Sequence, residues 1–164
     1  MTTTKSSNLT VKAQGDREIV ITRSFAAPKQ LVYEALTKPE LLRQWLGVRG
    51  GWTLDVCEVD PRPGGKYRYV WKNAEKGMSM GMGGAIQEIV PGEKLVATEK
   101  FDDAWYEGEG HVTTTLVEKN GVTHYAVTLR YESKAARDGV LKSPMESGLA
   151  DSYNLLDALL TRGR

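Results

Sequence analysis

The chain has 164 residues, a formal net charge of +1 and a single cysteine, Cys57. That length suits one domain with a real hydrophobic core, and the balance of apolar and charged residues is that of an ordinary globular protein. Near-neutrality removes the usual electrostatic reason to propose nucleic acid or anionic lipid as a partner, and one cysteine excludes an intramolecular disulfide.

Residues 1–15 are polar and rich in Thr and Ser. They lack the apolar core of a signal peptide, and no later run is long and apolar enough to span a membrane. The expectation is a disordered lead-in, a single domain over 16–164 and a cytoplasmic protein. Asn8-Leu9-Thr10 matches the glycosylation sequon, which without a secretion signal is taken as chance.

Glu18 to Phe25 is dense in β-branched and apolar residues and predicts a first strand. Ala27-Pro28 opens a helix with the stripe Leu31, Val32, Ala35 and Leu36. Lys38-Pro39 interrupts it, and a second short helix runs from Pro39 to Leu46, stopping at Gly47. A series of strands follows. Thr53 to Val59 is one, and Arg62-Pro63-Gly64-Gly65 is turn chemistry. Tyr67, Tyr69 and Trp71 alternate with Arg68, Val70 and Lys72 at strand period. Met78 to Val90 and Leu95 to Phe101 are two more strands, joined by Pro91-Gly92. Asp102 to Gly110 is an acidic loop. Val112 to Val117 and Val122 to Tyr131 form a hairpin about Asn120-Gly121. At the end, Ser143-Pro144-Met145-Glu146 reads as an N-cap, a first-turn proline and a capping-box glutamate. Met145, Leu149, Tyr153, Leu156 and Leu160 then recur at helical spacing. The fold class is α+β: a curved antiparallel sheet of about six to seven strands around a long C-terminal helix, with two short helices after the first strand.

Six stretches of the chain, in order, resemble a known family. They are Ile21 to Pro28, Trp45-Leu46-Gly47, Pro63 to Arg68, Glu88 to Leu95, Asn120 to Thr123 and Met145 to Gly148. The sequence is similar to the START-like superfamily of birch-pollen-allergen-like proteins (SRPBCC), and within it to the proteins named after the activator of the 90-kDa heat-shock-protein ATPase. The resemblance covers nearly everything after residue 16. It implies a helix-grip fold with a cavity between sheet and C-terminal helix, where superfamily members bind lipids, sterols, hormones or polyketides and some act as cyclases or hydrolases.

The candidate cavity lining follows from that expectation. Tyr67, Tyr69 and Trp71 share one strand face, and Tyr125 and Leu129 share another. Met80 and Met82 lie on a glycine-rich strand that leaves room beside it. Met145, Leu149 and Tyr153 come from the last helix. Trp45 and Trp52 flank Gly47 and Gly50-Gly51, either as a gate or as packed anchors, and Trp105 is placed as a lid or as an outer cap. For every one of these residues, simple core filling is the competing reading.

No catalytic residue, metal site or cofactor is assigned. His111 and His124 fall on the more polar strand face, and no nucleophile elbow, phosphate loop or zinc motif is present. Cys57 reads as a small buried hydrophobe. Arg23, Arg68, Arg130 and Glu58 lie on four strands with their directions open. The leading function is binding of a small, mainly hydrophobic molecule, by a monomer or homodimer. The alternatives are a stress-related co-chaperone of the 90-kDa heat-shock-protein ATPase and a cyclase- or hydrolase-like enzyme.

Overall fold

A computed structural model describes residues 8–104 and 106–162. Their backbone forms β1 (Thr10–Gln14), β2 (Glu18–Phe25), α1 (Lys29–Thr37), α2 (Pro39–Leu42), β3 (Trp52–Val59), β4 (Lys66–Asn73), β5 (Met78–Val90) and β6 (Lys94–Phe101). These are followed by β7 (Gly110–Lys119), β8 (Val122–Arg130), α3 (Lys134–Lys142) and α4 (Met145–Thr161). The strands make one antiparallel sheet in the order β1-β2-β8-β7-β6-β5-β4-β3. The sheet curves around α4 in the helix-grip arrangement.

Alternation along β2 shows how the sheet acquires an inside. Ile19, Ile21, Arg23 and Phe25 are buried, and the residues between them are not. The period is two, so one face turns to the helices and the other to water. From α4, Tyr153, Leu156 and Leu160 are buried against this face, as are Val32 and Ala35 of α1. Fully burying a side chain such as Leu156 or Phe25 contributes roughly 1.5–3 kcal/mol. The β7–β8 hairpin turns on Asn120 (φ 54°) and Gly121 (φ 78°), the left-handed pair such a two-residue turn requires.

Curvature has local causes. Register shifts occur between Leu54 and Val56 in β3, and between Ile86 and Glu88 in β5. Bulges of this kind bend a strand and sharpen its twist. At Gly84 the Thr98 carbonyl approaches so closely that a Cβ would lie 1.9 Å from its oxygen. The neighbouring Ala85 N–H donates instead to the buried Thr98 hydroxyl at 2.9 Å.

Four expectations are corrected. First, the sheet has eight strands, because Thr10–Gln14 pairs with β2 from Thr10↔Thr22 to Gln14↔Glu18 rather than being disordered. The expectation for residues 1–7 lies outside the described residues. Second, the helix from Pro39 ends at Leu42, and turns continue to Leu46. Third, an unanticipated helix, α3, occupies Lys134–Lys142. Ser133 caps it by accepting from the Ala136 N–H at 3.0 Å. Buried Arg137 holds it to the β1–β2 turn by donating to the carbonyls of Gly15 and Glu18, both at 2.9 Å. Fourth, Ser143 closes α3 and does not cap α4: its hydroxyl donates to the Val140 carbonyl at 2.5 Å. Pro144 takes the N-cap position of α4, without a side-chain cap.

Candidate functional site

A cavity of about 790 Å³ lies between the sheet and α4. Strand period two supplies most of its wall. Tyr67, Tyr69 and Trp71 project from β4, Leu95, Ala97, Glu99 and Phe101 from β6, and Tyr125, Val127 and Leu129 from β8. Met80, Met82 and Ile86 come from β5, and Met145, Leu149, Ser152 and Tyr153 from α4. Trp45 and Trp52 complete the twelve residues singled out from the sequence, all of which the fold brings to this one wall.

The two ends of the cavity differ. Near α1 the rings are interlocked. Tyr125 and Tyr153 meet edge to face at 5.3 Å between centroids, and their hydroxyls are 3.0 Å apart. Phe25 packs edge-on against both, and Trp45 lies 6.2 Å from Tyr153. Trp45 is 2% exposed, and its indole N–H donates to the Ala35 carbonyl at 3.0 Å. This makes Trp45 a packed anchor and not a gate. Burial pushes the Tyr125 hydroxyl up to about 12 and raises Tyr153 well above its ordinary value, so both stay neutral.

Gly47 joins the wall to the helix. The Trp71 indole N–H donates to the Leu46 carbonyl at 2.8 Å, and the Gly47 N–H donates to the Ser152 hydroxyl at 3.0 Å. Gly47 has φ +70°, and a Cβ there would sit 2.6 Å from the Trp71 indole nitrogen. Both the conformation and the space therefore demand glycine.

The far end is lined by Tyr67, Tyr69, Phe101, Tyr106 and Tyr131, with Asp103 and Ala104 from the β6–β7 loop. Tyr67 and Tyr69 are 5.2 Å apart between ring centroids, and Tyr106 meets Tyr131 edge to face at 5.5 Å. The Tyr67 hydroxyl donates to the Thr98 carbonyl at 2.6 Å. Trp105 lies outside the described residues.

Glu99 is the residue the sequence reading missed. It sits in β6 at the parity of Leu95, Ala97 and Phe101, which turns its carboxyl into the cavity. Among the described residues that carboxyl has no hydrogen-bond or ion-pair partner. Burial alone pushes it up to about 7 from an ordinary 4.5. Tyr67, Tyr106 and Tyr131 are each raised by burial first and by the Glu99 charge second. The signal was available: in a strand with Leu95, Ala97 and Phe101 on one face, position 99 must share that face.

Other candidates resolve simply. Arg23 points inward and is 3% exposed. It donates to the Asn154 side-chain oxygen at 3.1 Å and lies 5.2 Å from the Phe25 ring centroid, away from the cavity wall. Arg68 pairs with Asp102 on the outer face in a two-bond fork, both bonds at 2.6 Å. Arg130 and Glu58 are exposed. His111 and His124 are exposed, and the His124 Nδ1 meets the Ser24 hydroxyl at 3.0 Å. Cys57 is buried, and desolvation pushes its thiol up, away from reactivity. Among the described residues no helix is long and apolar enough to cross a membrane.

An eight-stranded sheet wrapped on a C-terminal helix over an internal cavity defines a START-like (SRPBCC) helix-grip protein. Within that class the chain belongs to the family described as Activator of Hsp90 ATPase homolog 1-like protein, whose family model matches residues 26–161. It is 32% identical to a Rhodobacter sphaeroides protein of known crystal structure, over 93% of this chain and 97% of that one, with a TM-score of 0.86. A Mycobacterium smegmatis protein is 23% identical over 95% of this chain and 99% of its own, with a TM-score of 0.81. An HSP90 activator from Plasmodium falciparum is 23% identical over 88% of this chain and 96% of its own, with a TM-score of 0.64. These last two likenesses concern the fold. No curated protein sequence matches the chain.

Proposed function

We propose that the protein binds a small, mainly hydrophobic molecule in the cavity between sheet and α4. One observation carries this reading: about 790 Å³ of space, open on one side, is lined by aromatic and aliphatic side chains with only a few polar groups among them. Ligand sites typically run to roughly 300–1,000 Å³ and have this composition. A core built only for stability closes such space, since each unfilled volume forfeits packing contacts. Trp52, Tyr67, Tyr69, Trp71, Met80, Met82, Leu129, Met145 and Leu149 form the proposed contact surface, with Trp45, Tyr125 and Tyr153 as its rigid floor. Native mass spectrometry of gently purified protein, together with titration by the neutral dye Nile red, tests the reading. A retained small molecule or saturable dye binding is the expected result. Absence of both would sink it.

A second reading, a co-chaperone acting on the 90-kDa heat-shock-protein ATPase, is favoured by the family to which residues 26–161 belong. It would use the outer surface and not the cavity. A pull-down with the chaperone and an ATPase assay distinguish the two, and unchanged ATPase turnover at high protein concentration would end this second reading.

A further inference from the structure

We infer that the cavity's ligand is a hydrophobic amine, an organic cation whose protonated nitrogen meets Glu99 while its apolar body lies along the Tyr67–Trp71 wall. This inference rests on the ligand-binding reading above and narrows the class of ligand.

The cavity wall has a sign. Its only formally charged residues among those described are Glu99 and Asp103, both acidic. Among the described residues no Lys, Arg or His reaches it. A fatty acid or another anion would bring like charge into a low-dielectric space, which is strongly unfavourable. A cation is the complementary guest.

Glu99 also lacks what a structural carboxylate would have. Buried charges are ordinarily paired or hydrogen-bonded. Buried Arg137, outside the cavity, follows that rule by donating to the Gly15 and Glu18 carbonyls, whereas buried Arg23 bonds Asn154 and leaves its Nε unpaired. The Tyr67 hydroxyl, which feels the Glu99 charge, is committed to the Thr98 carbonyl at 2.6 Å. The carboxyl is therefore turned to the cavity with its acceptor capacity unused. Among the described residues nothing else uses it, and a guest in the cavity can.

The surroundings suit an ammonium group. Tyr67, Tyr106 and Tyr131 line the same cavity as Glu99, and the hydroxyl of each feels its charge. Aromatic faces attract cations, more strongly when water is excluded. A carboxylate within an aromatic enclosure offers an amine an ion pair and cation–π contact together.

The test compares three ligands of one shape, phenylhexylamine, phenylhexanol and phenylhexanoate, by isothermal titration near neutral pH against the wild-type protein and Glu99→Gln. Circular dichroism checks that the variant is folded, and Nile red binding to the wild type reports the cavity itself. The amine is expected to bind the wild type roughly tenfold or more tighter than the alcohol, with the carboxylate weakest. In Glu99→Gln the amine-to-alcohol ratio is expected to fall to about one, since the charge-assisted contact is gone. The inference is overturned if the alcohol or the carboxylate matches the amine on the wild type. It is overturned equally if the amine preference survives in the variant. If Nile red and all three ligands fail to bind, the ligand-binding reading itself is lost, a result distinct from binding without selectivity.

Discussion

Replacing Glu99 by glutamine should stabilise the protein, and by an amount that depends on pH in a defined direction. Burial raises the Glu99 carboxyl from an ordinary 4.5 to about 7. In the folded state it therefore holds its proton over a range in which the unfolded chain has released it. Where the folded state binds more protons, stability falls as pH rises. The loss begins near the unfolded value of 4.5, grows through the folded value of about 7, and is constant above it. At about 1.4 kcal/mol for each pH unit separating the two values, the cost reaches at most about 3 kcal/mol, less where cavity water screens the half-buried carboxylate. The groups facing Glu99 do not blur this window. Tyr67 and Tyr69 from β4, Tyr153 from α4, and Tyr106 and Tyr131 are all pushed upward by burial and stay neutral throughout. Asp103, the other carboxyl on the wall, is exposed at its rim. Urea unfolding of the wild type and Glu99→Gln across the acid-to-neutral range measures the difference. The two should be of similar stability in acid, with the variant ahead by about 1–3 kcal/mol above neutrality. Parallel pH profiles would refute the claim that Glu99 is desolvated without a partner.

Two further substitutions test the scaffold that holds the cavity. Trp45→Ala removes a fully packed indole and its bond to the Ala35 carbonyl, and should cost about 3–5 kcal/mol in urea unfolding. A cost below about 1 kcal/mol would mean that Trp45 is not an anchor. Arg137→Ala leaves the Gly15 and Glu18 carbonyls without their buried donor, and should cost about 2–3 kcal/mol. Hydrogen exchange should show the accompanying loosening concentrated at the β1–β2 turn, and uniform loss of protection would contradict that assignment.

Much of the sheet was legible because alternation and turn chemistry are local. Glu18–Phe25, Met78–Val90 and the Asn120-Gly121 turn are each specified within a few residues. What escaped was specified at a distance. The sequence Thr-Val-Lys-Ala-Gln of β1 is too polar to announce a strand, and it is held by an edge ladder to β2 and by Arg137 more than a hundred residues away. Helix α3 is amphipathic but only nine residues long and polar on average, and it depends on Ser133, the Lys134–Asp138 pair at 2.8 Å and the same arginine. Ser143 satisfies the pattern of an N-cap, yet with α3 ending on it, its hydroxyl goes back to Val140. The cavity residues were legible as a face, but the volume between them was not. Volume depends on how far the bulges in β3 and β5 bend the sheet from α4, which no single residue encodes.

The cost of Glu99 bears on its use. A partly buried carboxyl whose ionisation is opposed by desolvation works against the fold at neutral pH, since leucine at that parity would stabilise the sheet. If an amine occupies the cavity, that cost is recovered on binding, because the cation favours the ionised carboxylate and draws its pKa down from about 7. Affinity for the amine must then rise with pH. With the carboxyl at about 7, on the order of one molecule in a hundred is ionised at about pH 5 and nine in ten at about pH 8. Phenylhexylamine, whose own nitrogen stays protonated throughout, should bind about tenfold or more tighter at the upper pH than at the lower. Phenylhexanol should show no such rise. Isothermal titration of both ligands at the two pH values measures this. Equal pH profiles for amine and alcohol would separate Glu99 from the ligand and leave its burial a cost that the amine does not offset.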